Sequence, residues 1–153
     1  TAVFAAQGSR TEKGIAMEKL EDSWQILQPP GWKPPRGYVN GIAARGRMVF
    51  LAGMVGWNHQ GVFESDNFVE QARQALQNIV ETLAQAGGRP EHVVRLTWFI
   101  LSKQEYLAQL DALGLAYREV MGRHYPAMSV VEVRALIEDQ AKVEIEATAV
   151  IPE

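Results

Sequence analysis

From Val69 onward, apolar residues return every third or fourth position, through Ala72, Leu76, Ile79, Leu83 and Ala86, with Gln71, Arg73, Gln74, Gln77 and Glu81 between them. This spacing gathers the apolar side chains on one stripe and predicts an amphipathic helix from about Asp66 to Ala86. Both ends agree. Ser65 and Asp66 offer oxygens to the free N–H groups of a first turn, and Gly87-Gly88 offers a left-handed stop. A second stripe runs through Tyr106, Leu110, Leu113, Tyr117, Val120 and Met121. It follows a capping box of Ser102 and Glu105 and should end near Gly122, ahead of Pro126. Elsewhere the pattern is that of strands. Val93 to Leu101 is an apolar, β-branched and aromatic run; Lys142 to Ile151 alternates Val143, Ile145, Ala147, Ala149 and Ile151 with Glu144, Glu146 and Thr148; Ser129 to Ala135 adds a third. Tyr38 to Ala44 and Arg47 to Gly56 flank the turn Ala44-Arg45-Gly46 and predict a hairpin.

The resulting order, ββαβαββ, describes one α+β domain over residues 37–153, a sheet with two helices on one face. Before it, Pro29, Pro30, Gly31, Trp32, Pro34, Pro35 and Gly37 break up any regular element, so residues 1–36 read as an irregular or flexible lead-in. Thr1 to Ala16 lack periodicity and an apolar h-region, which makes them a loose tail and not a signal peptide, with Met17 a candidate natural start. Two helices cover only one side of a sheet, yet Met48 to Val55 and Val93 to Leu101 read as apolar on both faces, including Phe50, Leu96, Trp98 and Ile100. The second face therefore needs a cover. Another subunit is the simplest one; the Pro-rich lead-in folding back is the alternative.

Composition narrows the function. The 153 residues are 47% hydrophobic and 22% charged, with a formal net charge of -3, no cysteine and three histidines. Disulfides, thiolate metal sites and a cysteine nucleophile are excluded together. His59, His92 and His124 are scattered without metal-ligand spacing, so no metal is expected. The acidic balance without a basic stripe argues against nucleic acid, and no run approaches the roughly 18 apolar residues of a membrane helix. A cytoplasmic compartment fits the cysteine-free composition.

Short motifs in fixed order carry a resemblance. These are Gly37-Tyr38-Val39-Asn40-Gly41, Leu51-Ala52-Gly53, Gln71-Ala72-Arg73-Gln74-Ala75-Leu76-Gln77-Asn78-Ile79, Ala86-Gly87, Val93-Val94-Arg95, Tyr125-Pro126-Ala127 with Ser129, and Val143-Glu144-Ile145-Glu146-Ala147. From Gly37 to Val150 the chain resembles the RidA/YjgF family, also called endoribonuclease L-PSP or reactive-intermediate deaminases. The resemblance implies a chorismate-mutase-like homotrimer with a central β-barrel and ligand clefts between subunits. It also implies cofactor-free hydrolysis of small enamines or imines to a carbonyl compound and ammonia. By motif position Glu144 matches the water-orienting acid, Tyr38 the cleft tyrosine, and Gly53 and Val130 the backbone groups near the ligand. Where the family has Pro-Ala-Arg-Ser, this chain has Pro126-Ala127-Met128-Ser129. A thioether cannot grip a carboxylate as a guanidinium fork does. Met54 and Trp57 follow Gly53 where the family commonly carries Gln and Pro, which predicts a less polar cleft.

Each of these residues also has a plainer reading. Glu144 and Glu146 alternate as a solvated face would, and Tyr38 alone is an ordinary strand aromatic. Met54, Trp57 and Met128 suit interface packing as well as ligand contact. Arg36, Arg45, Arg47 and Arg134 are substitute anchors or surface charges, and His124 a proton shuttle or a rim residue. The expectation is thus a divergent hydrolytic deaminase of an enamine or imine, with a 2-aminomuconate-like substrate as one candidate, Glu144 and Tyr38 catalytic, and Gly53, Met54, Trp57, Met128, Ser129 and Val130 lining the ligand. Its rivals are a non-catalytic ligand-binding or regulatory trimer and, on the family's older name, an endoribonuclease.

Overall fold

The computed structural model describes residues 23–153, so the expected tail of Thr1 to Ala16 and the candidate start at Met17 lie outside the described residues. The elements, in chain order, are β1 (Trp24–Ile26), β2 (Ile42–Ala44), β3 (Arg47–Val55), α1 (Phe68–Ala84), a 3-10 turn (Pro90–His92), β4 (Val93–Ile100), α2 (Lys103–Ala108), α3 (Leu110–Met121), β5 (Ala127–Glu132) and β6 (Val143–Ile151). Four strands form the main sheet in the order β3-β6-β4-β5. β6 is antiparallel to both of its neighbours, and β5 runs parallel to β4. No helix among the described residues is long and apolar enough to cross a membrane.

The amphipathic stripe buries as its spacing requires. Ala72, Leu76, Ile79 and Leu83 of α1 join Leu113, Ala116 and Tyr117 of α3 in one core with Leu96, Trp98, Ile100, Val143, Ile145, Ala147 and Ala149 of the sheet. The cap of α1 departs from expectation. Asn67, and neither Ser65 nor Asp66, accepts from the backbone N–H groups of Val69 and Glu70. Ser65 instead accepts from the N–H of Asn67, one step outside the helix. The second helix divides at Gln109, whose φ of -120° leaves the helical region, while Ser102 caps α2 and α3 ends at Gly122 as the sequence predicts.

Two further expectations are corrected. The hairpin of Tyr38–Ala44 with Arg47–Gly56 does not form, because β2 pairs with β1, Trp24 lying opposite Ala44. The lead-in thus contributes a strand, and it takes the hydrogen bonds that a hairpin would have taken from β3. The other correction concerns β4. Leu96, Trp98 and Ile100 all turn toward the helices and are at most 2% exposed, and the residues that alternate with them are Arg95, Thr97 and Phe99. The open face is therefore mixed, with its exposed apolar residues on the outer strands, including Phe50 of β3 at 74% and Val131 of β5 at 43%. Among the described residues nothing covers Phe50.

Candidate functional site

β6 is central in the sheet and presents Glu144 on the open face, in register with Phe99 of β4. Beside it the pairing of β3 shifts between Leu51 and Met54, a bulge that contains Ala52 and Gly53. Bulges re-aim the chain where function needs an irregular surface. Here the bulge leaves bare backbone under an acid. A methyl group on Gly53 would lie 2.0 Å from Oε1 of Glu144 and 2.8 Å from its carboxyl carbon, so the carboxylate rests directly on the glycine. No ion pair or hydrogen bond engages that carboxylate among the described residues, which leaves its oxygens free to accept.

The other sequence-predicted residues gather elsewhere. Val39 donates its N–H to the Pro126 carbonyl at 3.2 Å and bridges Ala127 in parallel, which sets Tyr38 level with Pro126 at the start of β5, the strand that carries Met128 and Ser129. Met128 and Val130 pack partly buried against the core, opposite Leu96 and Trp98, and Ser129 is exposed beside Thr97. β5 lies two strands from β6 and three from β3, roughly 10 and 14 Å at the usual strand spacing. One chain therefore brings Glu144 to Gly53 but leaves the Tyr38 and Met128 group on the far edge of the sheet.

Met54 and Trp57 form a third group. They line a cavity of about 520 Å³ against the outer side of α1, together with Asn78, Glu81 and His59. His59 Nε2 and Glu81 Oε2 stand 2.8 Å apart across its mouth. Trp57 packs on Phe63 with ring centres 6.0 Å apart. Asn78, which sequence reasoning did not single out, fixes this loop by donating to the carbonyls of Val55 (3.1 Å) and Trp57 (2.9 Å). Gln74 holds it by donating to Asn78 at 2.9 Å, a polar i,i+4 pair that was the available signal.

The alternative anchors and the histidine resolve as follows. Arg47 donates to the Ala86 carbonyl and is tied to the end of α1, whereas Arg36, Arg45 and Arg134 are exposed. His124 is neither a rim residue nor placed to shuttle protons at Glu144. Its Nε2 contacts the Val93 carbonyl at 2.6 Å, its ring meets Trp24 edge-on at 5.9 Å, and its own carbonyl accepts from Tyr117 Oη. Burial lowers its pKa, against the opposing pull of the Val93 carbonyl and Glu91. It joins β1 to the core.

Known proteins place this architecture. The sequence model described as endoribonuclease L-PSP matches residues 31–151. A RutC family protein of Synechocystis is 34% identical over 130 residues, covering 84% of this chain and 95% of its own. The 2-iminobutanoate/2-iminopropanoate deaminase of Escherichia coli K12 is 32% identical, over 74% of this chain and 86% of its own. Among solved structures, a Rid family protein of unknown function from Yersinia pestis superposes with a TM-score of 0.75 at 30% identity, over 84% of this chain and 99% of its own. The Escherichia coli YjgF structure gives 0.59 at 32% identity, over 74% and 87%. With the α+β fold and the matched length in agreement, the chain belongs to the RidA/YjgF, or endoribonuclease L-PSP, family.

Proposed function

We propose that this protein is a hydrolytic deaminase of a small enamine or imine, acting without a cofactor in clefts between the copies of a homotrimer. The observation that carries the reading is the unpaired Glu144 carboxylate seated on the bare backbone of Gly53. A protonated C=N group accepts water readily, so the protein's task is to hold the substrate and to place one water and its protons. Glu144 takes a proton as the water oxygen bonds to carbon, giving a carbinolamine. The proton then passes to the nitrogen, the C–N bond breaks, and ammonia leaves as the carbonyl forms. Tyr38 and Ser129, with the backbone of Met128 and Val130, reach the same cleft from the β5 edge of a neighbouring copy, which accounts for the distance separating the two groups within one chain. The deaminase relatives act, by name, on 2-iminobutanoate and 2-iminopropanoate. With Met128 partly buried and uncharged, no carboxylate is gripped at that point, and the substrate preferred here is a conjugated enamine of the 2-aminomuconate kind whose carboxylates lie elsewhere in the cleft.

Ammonia release from 2-iminopropanoate generated in situ, and from an aminomuconate, tests this. Glu144→Gln should lower the rate by roughly 100-fold or more, the usual contribution of a positioned acid or base. An unchanged rate removes the role of Glu144. Met128 also supports a second reading, a ligand-binding trimer without turnover. Saturable binding of an apolar metabolite with no ammonia from any imine would establish that reading instead.

A further inference from the structure

The open face of the sheet holds a separate cavity of about 230 Å³, lined by residues that include Phe50, Arg95, Thr97, Glu146 and Thr148. Neither Glu144 nor Gly53 lines it, so it stands apart from the proposed catalytic position. Cross-strand register puts Arg95 opposite Thr148 and Thr97 opposite Glu146. Arg95 and Glu146 are thus diagonal neighbours, within reach of each other for side chains of their length. They do not use that reach. No ion pair joins them, and no hydrogen bond engages either charged group among the described residues. Between them Thr97 is only 8% exposed, and its hydroxyl has no partner.

A buried hydroxyl is normally satisfied, and opposite charges that merely stabilise a sheet face normally meet. Here a cation, an anion and an unsatisfied hydroxyl converge on one hollow while remaining apart. A ligand with a single charge would leave one of the two unanswered. A neighbouring chain lying flat across the sheet would not reach the hydroxyl at the bottom. We infer that this cavity binds a small zwitterion of the α-amino acid class. Its carboxylate lies on Arg95, its ammonium on Glu146, the Thr97 and Thr148 hydroxyls bridge them, and a short side chain rests on Phe50. The volume equals roughly eight waters of bulk liquid, enough for an amino acid with a small side chain. Because the same face is the one assigned to contacts between copies, the ligand would also neutralise charges that assembly would otherwise bury unpaired.

Calorimetric titration of the assembled protein with L-alanine and L-2-aminobutyrate tests the site, with propionate and propylamine as single-charge controls. The expected result is one saturable site per chain for the amino acids and much weaker binding of both controls. Arg95→Gln and Glu146→Gln should each weaken binding roughly 10- to 100-fold, the range for losing a charged hydrogen-bond partner. Glu144→Gln should leave binding unchanged even where it abolishes ammonia release, so failure of this site and failure of the proposed catalysis are told apart. Absence of saturable binding at millimolar amino acid overturns the inference. So does the other clear outcome, in which the single variants change the sedimentation state and the charge-swapped Arg95→Glu, Glu146→Arg protein restores it. The two charges would then pair between copies.

Discussion

Gly53→Ala separates a positioning role for the bulge from a structural one. The new methyl group would begin 2.0 Å from Oε1 of Glu144, 2.8 Å from Cδ and 2.9 Å from Cγ. Non-bonded heavy atoms in contact stand roughly 3.5 Å apart. The carboxylate must therefore retreat by roughly 1.5 Å, and it can do so by rotating its own side chain, because the three nearest atoms all belong to Glu144. The backbone does not resist the substitution, since Gly53 is not among the residues held at positive φ. Alanine also restricts the unfolded chain, which favours folding by about 0.4–1 kcal/mol and offsets part of the rearrangement. Stability should stay within about 1 kcal/mol, a shift of roughly 2–4 °C in Tm for a chain of this size.

Catalysis should respond far more strongly. A misplacement of about 1 Å in a group that orients a reactant costs roughly 100-fold, equivalent to about 2.7 kcal/mol in the barrier. The assay couples ammonia release from 2-iminopropanoate to NADH oxidation through glutamate dehydrogenase, alongside a thermal melt of the same preparation. The expected outcome is kcat/KM down about 100-fold with Tm nearly unchanged. A variant that melts like the parent and keeps its full rate would refute the argument, because the carboxylate would have left its seat with no consequence.

Two other perturbations probe the frame around the site. Gln71 is 1% exposed; its amide donates to the carbonyls of Ser65 (3.0 Å) and Gln140 (2.9 Å) and accepts from the Lys142 N–H at 2.8 Å, so it ties α1 to the approach of β6. Gln71→Ala strands these buried groups and should destabilise by about 3 kcal/mol, read as a lower urea midpoint; a loss under about 0.5 kcal/mol would show that water replaces the side chain. For pH, burial lowers the pKa of both His92 and His124 from 6.5, and at His92 Arg89 and His124 reinforce the shift while Glu91 opposes it. Below pH 6.5 the unfolded chain then binds protons that the folded chain refuses, so stability should be flat above that pH and fall beneath it. Burial raises Tyr106 from 10.0 to about 12, so a second loss should begin as the pH climbs through 10.0. Urea midpoints across this range check both limbs, and a profile that rises on acidification would contradict the first.

Much of the fold was legible because it rests on local periodicity. The stripe from Val69 to Leu83 and the alternation from Val143 to Ala149 each commit their side chains to one core, and the structure follows both. What failed was pairing, which periodicity does not encode. Ala44-Arg45-Gly46 has the composition of a hairpin turn, yet Gly46 sits with φ 147° against the end of β6, where a Cβ would lie 2.3 Å from the Ile151 carbonyl oxygen. β6 takes one edge of β3, and a strand from the Pro-rich lead-in takes β2. Asn67 displaced Ser65 and Asp66 as the cap for a similar reason, since three adjacent residues could all cap and only the exit angle of the chain decides among them.

The site was legible in its residue types and not in its arrangement. Glu144 looked like one member of an alternating polar face, and only the bulge opposite it makes Glu144 different from Glu146: one carboxylate rests on bare glycine backbone, the other faces Thr97 in a hollow. That difference arises from a register shift on β3, a neighbour more than 80 residues away along the chain. Under the proposed function, the same geometry is the reason one copy would not suffice. The acid lies beside β3 and the Tyr38 and Met128 group lies along β5, at opposite sides of a sheet whose open face still exposes Phe50 and Val131. Burying such side chains contributes roughly 1.5–3 kcal/mol each, a gain that a second copy would supply under the proposed assembly. The contact that hides Phe50 would then be the one that brings a neighbour's β5 edge toward Glu144, so assembly and site formation would rest on the same apolar residues.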